Sequence, residues 1–516
     1  MKRSFILIPF VLILLNGCAS VDFKYPKPES YAITNTDDTT LGQTIAPIVA
    51  KHPGELSGFN LQFDGIESLA KRLAVTHKAE RSIDAQYYLI DADTVGFVFI
   101  YSLLKAADRG VRVRLLIDDV FTEGYDFGMA ALDSHPNFEV RVFNPFAGRK
   151  FRIGDVLTDF GRINRRMHNK TYIIDNQVAI VGGRNIASEY FGARDDVNFA
   201  DLDLVCIGPI VQEISNTFDL YWNDELAAAI PAFADMPDDP AAELEKLRIR
   251  LDEEMSKIRE TKYADAVTID YHNYFGSIKN TINELFSWAP YTYVYDAPEK
   301  AIKGNDHGGK KTVATLKTAI DKAGSELMIV SPYFVPGKRG VKFIEELRKR
   351  DINVTVITNS LSSNNHTIVH SGYIPYRKPL LKMGVKIYEA RGDVRASGVE
   401  RAKGKRSVSN LHTKAFIIDR KEIFVGSFNW DPRSVYINTE QGVIVKSPVL
   451  ASITASQVDD ALNYKLYKLY LDENNQLRWA DNSGANTIVY TKEPNTSWWK
   501  RFKANLMRIL PVESQL

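Results

Sequence analysis

The sequence predicts an α/β protein with two similar domains, each containing a mixed β-sheet flanked by helices. At 516 residues, the chain is longer than one ordinary hydrophobic core supports. Short β-rich runs alternate with helix-length patterns, as in βαβ units. The alternation occurs twice, over 82–118 and again over 327–358. The repeat therefore predicts two copies of one α/β unit.

Six segments follow from these patterns. We expect a signal segment, an N-terminal extension, a first half, a connector with a charged helix, a second half and a C-terminal tail. They span residues 1–18, 19–57, 58–230, 231–310, 311–465 and 466–516. Within the tail, 497–510 places aromatic and aliphatic residues near one helical face, with Lys and Arg around the rest. That pattern is typical of an interfacial membrane helix and also of an ordinary docking helix.

The N-terminus has the features of a secretion signal. Lys2 and Arg3 precede an apolar run over 5–15, which is shorter than a typical membrane span. The tetrapeptide at 15–18, Leu-Asn-Gly-Cys, resembles a bacterial lipobox, which predicts lipidation of Cys18. An uncleaved signal anchor is the alternative. We therefore expect a membrane-anchored lipoprotein that faces the periplasm, attached to either the inner or the outer membrane.

The charge and cysteine content limit the functions to consider. Lys and Arg number 65 against 64 Asp and Glu, so no overall positive field attracts nucleic acid. Besides Cys18, the only cysteine is Cys206, in an apolar run typical of a core strand. Neither a zinc site nor a thiol enzyme is indicated.

Two copies of one motif carry the chemistry. The intervals between His, Lys, Asp, the first Gly and Asn are the same in both copies. The first copy contains His168, Lys170, Asp175, Gly182, Gly183 and Asn185, and the second contains His412, Lys414, Asp419, Gly426, Ser427 and Asn429. Beyond each motif an acidic residue opens a late strand, Asp201 in the first half and Glu440 in the second. A duplicated fold with an inactive site is the alternative to catalysis.

The spacing assigns the motif residues different tasks. Residues two apart on a strand share a face, so each His and its Lys project together. Asp175 and Asp419 lie where each apolar run turns, and we expect them to organise a hairpin. Gly183 and Ser427 have a missing or small side chain, which would let the backbone approach a phosphate closely. Asn185 and Asn429 would supply amide donors.

Together the two motifs suit a phosphodiester. The lysines can neutralise its non-bridging oxygens, and the Asn amides with the Ser427 hydroxyl can donate to them. One imidazole can attack phosphorus while the other protonates the leaving alcohol. Asp201 and Glu440 are candidates to hold a ring nitrogen and fix each tautomer. Because lysines supply the positive charge, we expect no metal ion and no cofactor.

These motifs resemble the phospholipase D superfamily, and the chain from about residue 58 onward resembles its cardiolipin synthase C-type branch. The closer similarity lies in 109–119, 164–170, 181–186, 357–365, 426–434 and 437–442. The resemblance implies two α/β sandwich domains with the active site at their pseudo-twofold interface. It also implies transfer of a phosphatidyl group to phosphatidylglycerol, from phosphatidylethanolamine or a second phosphatidylglycerol, to give cardiolipin. By position, His168 matches the nucleophile of the family and His412 its acid and base.

Alternatives in function concern the acceptor and the presence of catalysis. A hydrolytic phospholipase D, or another phosphodiesterase, would use the same phosphohistidine with water as acceptor. A non-catalytic membrane-associated scaffold would be expected to carry an incomplete motif, whereas both motifs are complete. Membrane phospholipids are the expected partners, nucleic acid is not, and an accessory membrane protein is left open.

Three further residues are predicted to bind substrate. His370, Tyr373 and Arg377 follow the end of the strand at 357–361, where α/β sheets place ligand-binding loops. Packing within the domain is the alternative. Arg162, Arg165 and Arg166 crowd the first motif, where they could attract anionic headgroups or form a solvated basic loop.

Overall fold

The computed structural model describes residues 20–52, 54–149, 152–303, 311–393, 408–511 and 513–516. The predicted signal segment and Cys18 lie outside these residues. Within the described part of the chain, no helix is both long and apolar enough to cross a membrane.

The helices follow the chain in order. They are α1 (Thr40–Val49), α2 (Gly65–Lys78), α3 (Thr94–Asp108), α4 (Asp126–Asp133), α5 (Ile153–Thr158), α6 (Phe160–Ile163), α7 (Ile210–Trp222), α8 (Pro240–Arg259), α9 (Lys262–Leu285), α10 (Lys300–Lys303), α11 (Lys311–Ile320), α12 (Gly337–Lys349), α13 (Thr367–Tyr373), α14 (Arg377–Lys382), α15 (Pro432–Tyr436), α16 (Pro448–Tyr464) and α17 (Trp498–Met507).

The strands alternate with these helices. They are β1 (Ser57–Gln62), β2 (Ser82–Tyr87), β3 (Arg112–Asp118), β4 (Phe138–Phe143), β5 (Thr171–Ile174), β6 (Val178–Gly182), β7 (Val197–Ala200), β8 (Asp203–Ile207), β9 (Ala227–Ala229), β10 (Ser287–Ala289), β11 (Tyr291–Tyr295), β12 (Glu326–Val330), β13 (Asn353–Asn359), β14 (Lys386–Ala390), β15 (Val408–Leu411), β16 (Ala415–Ile418), β17 (Glu422–Gly426), β18 (Gln441–Val445), β19 (Leu466–Leu471), β20 (Leu477–Asp481) and β21 (Ile488–Tyr490).

Two large sheets confirm the predicted fold class. Among the described residues, the first sheet has nine strands in the order β10-β1-β8-β6-β5-β2-β3-β4-β9. The second has ten strands in the order β11-β18-β17-β16-β12-β13-β14-β19-β20-β21. In each sheet three neighbouring strands are parallel, β2-β3-β4 and β12-β13-β14, and the remaining pairs are antiparallel. The two sheets therefore repeat one mixed topology.

A shared core joins the two halves. Ile173 and Val181 of the first sheet belong to the same buried cluster as Ile417 and Val425 of the second. Cys206 is fully buried in this cluster, as the sequence predicted. Separate clusters fill the outer layers of each half. The inner faces of the sheets thus form one continuous core, and the motif strands β5, β6, β16 and β17 lie within it.

Two segments are more structured than their sequence suggested. The connector over 231–310 contributes α8 and α9, which pack on α4 and α2 of the first half, and its strands β10 and β11 join one sheet each. The predicted tail begins with β19, which pairs with β14, and continues as β20 and β21. The local sequence pattern did not distinguish these short edge strands from loops, because the strands form only through pairing with partners that are distant in sequence.

Candidate active site

Each motif histidine is held by a carboxylate from the other half of the chain. His168 Nδ1 lies 2.9 Å from Glu440 Oε2. His412 Nδ1 lies 2.5 Å from Asp201 Oδ2. The sequence predicted these two acids as partners of the imidazoles without indicating which acid serves which ring. Because the pairs cross, neither half contains a complete histidine–carboxylate pair.

Backbone pairing between the halves creates this crossing. Strand β15, which ends just before His412, pairs in parallel with β7, which ends just before Asp201. The second crossing is shorter, a parallel bridge between Met167 and Thr439. The main-chain N–H groups of both histidines donate across the interface, His412 to Ala200 O at 2.8 Å and His168 to Thr439 O at 3.0 Å. The two halves of the site are therefore aligned by main-chain hydrogen bonds.

The two motif lysines are buried at the centre of the site. Lys170 and Lys414 are 2% and 1% exposed. Each ammonium group donates to the carbonyl oxygen of its own histidine, at 2.6 Å and 2.5 Å. Glu440 and Asp201 make their direct contacts with the histidines, at 2.9 Å and 2.5 Å. Burial lowers the pKa of both lysines, while the nearby carboxylates of Asp201 and Glu440 act to raise it, so an anionic ligand beside the lysines would further favour their charged form.

Burial sets the protonation of these groups. Burial lowers the pKa of His168 to about 4, and burial together with the Lys414 ammonium lowers the pKa of His412 to about 3. Although burial acts to raise them, the pKa values of Asp201 and Glu440 are lowered by the adjacent imidazoles and lysines. The imidazoles are therefore neutral at pH 7 beside ionised carboxylates. A carboxylate on Nδ1 places the proton there and leaves the Nε2 lone pair for chemistry.

The motif asparagines occupy corresponding positions in the two halves. Asn185 and Asn429 are 2% and 5% exposed, and the side-chain oxygen of each is buried without a hydrogen-bond partner among the described residues. Asn185 Nδ2 lies 2.9 Å from the Tyr190 hydroxyl. Since the two ends of a carboxamide have the same shape, rotating the Asn185 amide would leave its oxygen on Tyr190 and direct its NH₂ group to a ligand.

Gly183 and Ser427 contact the two carboxylates, Asp201 and Glu440, that hold the histidines. A Cβ atom on Gly183 would lie 2.1 Å from Asp201 Oδ1, so glycine is required for the close approach of this acid. The Ser427 hydroxyl donates to Glu440 Oε2, and it accepts from the Gln441 N–H at 3.0 Å. The sequence predicted that both positions face a phosphate. In the structure both positions contact the acids that hold the histidines.

Asp175 and Asp419 are architectural. The Asp175 carboxylate accepts hydrogen bonds from the N–H groups of Glu80, Arg81 and Ser82 at 2.7–2.9 Å. The Asp419 carboxylate likewise accepts hydrogen bonds from the N–H groups of residues 324–326, at 2.8–2.9 Å. Both aspartates have positive φ, +48° and +53°, in the hairpin turn. Each therefore anchors its turn to the start of a neighbouring strand.

Comparison with known proteins agrees with this geometry. The family described as "Cardiolipin synthase, PLD-like domain" matches the chain twice, over residues 73–222 and 316–463. The chain belongs to the phospholipase D superfamily. It is a cardiolipin synthase-like, phospholipase D-type phosphatidyltransferase.

Several relatives cover nearly the whole chain. Cardiolipin synthase C of Escherichia coli is 36% identical over 92% of this chain and 99% of its own length. An uncharacterised protein of Helicobacter pylori strain J99 is 30% identical, covering 98% of both chains. The crystal structure of phosphatidylserine synthase from Haemophilus influenzae is similar in fold, with a TM-score of 0.55 at 12% identity, over 92% of this chain and 100% of that one.

Aromatic residues line this phospholipase D site. The Tyr88 ring meets His168 edge-on at 5.0 Å, and the Lys170 ammonium lies 5.1 Å from the same ring. Tyr190 meets the His412 ring edge-on at 5.0 Å, and Phe199 stacks on the same imidazole at 5.3 Å. These rings exclude water from the imidazoles. Tyr88 follows the end of β2, a position that marks ligand-binding loops in α/β sheets and could have drawn attention to it.

The predicted substrate residues His370, Tyr373 and Arg377 lie in a separate buried cluster. Arg377 lies 3.1 Å from Glu389 and 2.6 Å from Glu493. It also hydrogen-bonds the His370 ring at 2.5 Å, and its guanidinium lies 4.7 Å from the Tyr373 ring. These contacts join α13 and α14 to β14 and to the C-terminal tail. These contacts agree with packing, the alternative considered from the sequence.

The basic residues before the first motif also have structural partners. Arg166 is 1% exposed and lies 3.2 Å from Asp118. Arg162 pairs with Asp159 at 2.6 Å, and Arg165 donates to the Ile302 carbonyl at 2.8 Å. Arg162 and Arg166 are therefore paired with carboxylates, which reduces the positive charge available to attract anionic headgroups. No group of three His, Cys, Asp or Glu side chains suited to a metal ion occurs in the described ranges.

Proposed function

We propose that the protein forms cardiolipin by transferring a phosphatidyl group from phosphatidylethanolamine or phosphatidylglycerol to phosphatidylglycerol. The observation that carries this proposal is the pair of buried lysines set beside two neutral imidazoles, whose Nδ1 atoms take the direct contacts with Glu440 and Asp201. That set matches the needs of a phosphodiester anion attacked by nitrogen. The name of the Escherichia coli relative supports cardiolipin as the product.

In the first step His168 Nε2 attacks the phosphorus of the donor lipid. A P–N bond forms and the P–O bond to the headgroup alcohol breaks, while His412 gives a proton to the departing oxygen. An anionic phosphodiester beside His412 raises the pKa of this imidazole and so lets it carry that proton. Lys170 and Lys414 offset the charge on the non-bridging oxygens. The products are free ethanolamine or glycerol and a phosphatidyl-histidine.

In the second step a hydroxyl of phosphatidylglycerol gives its proton to His412. Its oxygen attacks phosphorus, and the P–N bond to His168 breaks to release cardiolipin. His168 and His412 are only 8% and 7% exposed, so water has little access while a lipid fills the site. Exclusion of water favours a lipid hydroxyl as the acceptor.

The surroundings of the two imidazoles support His168 as nucleophile. Lys414 Nζ lies 3.1 Å from His412 Nε2 and 2.9 Å from its Nδ1. In the described part of the chain, no such contact occurs at His168 Nε2. The free lone pair on His168 is therefore the better placed to attack, and His412 is the better placed to exchange protons.

We also propose that the enzyme acts at a membrane facing the periplasm, anchored through lipid on Cys18. The lipobox-like sequence at 15–18 supports this location, and the proposed lipid substrates require contact with a bilayer.

The product formed in vesicles tests the proposal. The purified protein would be given vesicles of phosphatidylglycerol, with and without phosphatidylethanolamine, and the lipids analysed by mass spectrometry. We expect cardiolipin from both, with release of glycerol or ethanolamine. His168→Ala should form none, whereas His52→Ala, which removes a histidine stacked on Trp288 outside the site, should retain the wild-type rate. Phosphatidic acid as the sole product would show a hydrolase.

A further inference from the structure

Two short helices of the first half expose an apolar surface near the site. Helices α5 and α6 present Ile153, Val156, Leu157 and Phe160 to solvent, and Leu157 is 81% exposed. A nearby ring, Phe121, is also exposed and meets Tyr88, the ring that contacts His168. Exposed large apolar side chains in one group indicate a binding surface.

The C-terminal helix exposes a second apolar surface. Helix α17 packs on α13 and buries Ala504, whereas its large side chains point outward. Trp499 is 69% exposed, and Trp498 stacks on Phe502 at 5.2 Å on the outside of the molecule. Leu506 is 54% exposed. The helix is therefore docked to the domain through a small residue while its aromatic face has no cover among the described residues.

A cavity of about 1230 Å³ lies next to α6 and to the segment that follows α17. Phe160 and Asn164 line it from the first half, and Pro511 and Gln515 line it from the segment that follows α17. Asn164 donates to Gln515 at 2.7 Å, which ties these two walls together. The cavity also reaches Trp430, next to the motif residue Asn429. The cavity thus extends from Phe160 of the first apolar surface to the segment after α17, and it lies beside the second motif.

Basic residues outnumber acidic ones around this cavity, whose lining contains four basic residues, Arg165, Lys317, Lys338 and Arg339, and two acidic ones, Asp431 and Glu513. The segment 494–511 contains Lys500, Arg501, Lys503 and Arg508 and no acidic residue. At the cavity, Lys338 is exposed at the start of α12. Exposed Trp and Phe with surrounding Lys and Arg are typical of elements that lie in the headgroup region of an anionic membrane.

We propose that α5, α6 and α17 form a single docking face that lies on an anionic phospholipid bilayer, with the cavity opening against it. The first half contributes α5 and α6 and the C-terminal tail contributes α17, so both parts of the chain contact the membrane. A phospholipid can then reach the second motif without its acyl chains crossing water. The proposal rests on the proposed function only for the choice of a bilayer as the surface.

Site-specific fluorescence tests the docking face. The full chain with Cys18→Ser would carry a single introduced cysteine, Leu157→Cys, Leu506→Cys or, as a control on α8, Ile249→Cys, which is a 61% exposed position. Cys206 is buried and does not compete for the label. In phosphatidylglycerol vesicles containing a nitroxide lipid, we expect quenching of the labels at 157 and 506 but not at 249. Equal quenching at all three positions, or none, would overturn the proposal. Shielding of 157 and 506 that depends on protein concentration without vesicles would also overturn it, because a second copy would then cover the face.

Kinetics give a second test. The double variant Leu157→Glu, Trp499→Glu should form cardiolipin from vesicles at least tenfold more slowly, while its rate on a water-soluble short-chain phosphatidylglycerol stays at the wild-type level. Ile249→Glu should leave both rates unchanged. An equal loss on both substrates would show damage to the site and contradict docking. If wild-type protein forms no cardiolipin yet the labels are quenched, the proposed function fails and the docking face stands.

Discussion

At the scale of single residues, the carboxylates decide which nitrogen of each imidazole reacts. The Glu440 carboxylate accepts a hydrogen bond from His168 Nδ1. It also accepts from the Ser427 and Ser434 hydroxyls, the latter at 2.8 Å. The Asp201 carboxylate accepts a hydrogen bond from His412 Nδ1. An acid fixed in this way holds the ring orientation and stabilises the imidazolium that forms during proton transfer.

Glu440→Gln should therefore impair chemistry more than binding. The amide keeps the size of the side chain but loses the charge that fixes the tautomer, so we expect kcat to fall on the order of 10³–10⁴-fold with a smaller change in KM. Glu345→Gln, which removes an exposed carboxylate paired with Lys349, serves as the control and should keep full activity. A Glu440→Gln enzyme within threefold of wild type would show that Glu440 does not position His168.

The buried lysines predict a loss of activity at alkaline pH. Burial lowers the pKa of Lys414 to about 8, so the ammonium is charged below this value and neutral above it. Loss of that charge removes attraction for the phosphodiester, and kcat/KM should decline as pH rises through about 8. Thermal melts over the same range would verify that the fold persists. A flat kcat/KM profile up to pH 10 would contradict this role of Lys414.

Much of the site at this scale was predictable, because the repeat fixed the positions of both motifs and of the two acids. The crossing was not, since it depends on pairing between β7 and β15, which lie far apart in the chain. The structural requirement for glycine at position 183 was also not predictable from the sequence. Its lack of a side chain serves the close approach of Asp201, and a contact of that kind leaves no local pattern in the sequence.

At the scale of elements, two β-hairpins carry the motifs. In each, an aspartate at positive φ accepts three main-chain N–H groups from the start of the neighbouring strand. These bonds join β5 to β2 and β16 to β12 at the end of the strands away from the motif histidines. The aspartates therefore stabilise the hairpins without touching the reacting groups.

Alanine at these aspartates should destabilise the fold and spare the chemistry. We expect Asp175→Ala to lower the free energy of unfolding by about 2–4 kcal/mol, because the N–H groups lose a charged acceptor. Asp419→Ala should cost less, because its N–H donors at 324 and 325 are exposed to water. Urea unfolding measures the stabilities, and kcat at a temperature where each variant is folded should stay within about tenfold of wild type. An unchanged unfolding midpoint with abolished turnover would place the aspartates in the chemistry.

The elements themselves were predicted unevenly. The hairpin strands and parallel βαβ units were visible because their apolar runs are long and regular. Strands β19, β20 and β21 were assigned to a tail, because short edge strands with mixed burial lack a clear alternation. The C-terminal helix was anticipated, but only the structure shows that its aromatic face points outward.

At the scale of the whole molecule, one core and one site are shared by two repeated halves. The inner faces of both sheets contribute to a common buried cluster, which keeps the two hairpin pairs together. Each half brings one histidine, one lysine and the acid that the other half needs. The predicted division into two halves thus describes the topology, whereas the functional unit is the pair.

The most direct test of this shared site uses a phosphatidyl nitrophenyl ester as donor. Nitrophenolate leaves without a proton, so His412→Ala should release one equivalent in a rapid burst and then stop, with the phosphatidyl group retained on His168 and detectable by mass spectrometry. His168→Ala should show no burst. A burst from His168→Ala with the adduct on His412, or no burst and no adduct in either variant, would contradict the mechanism.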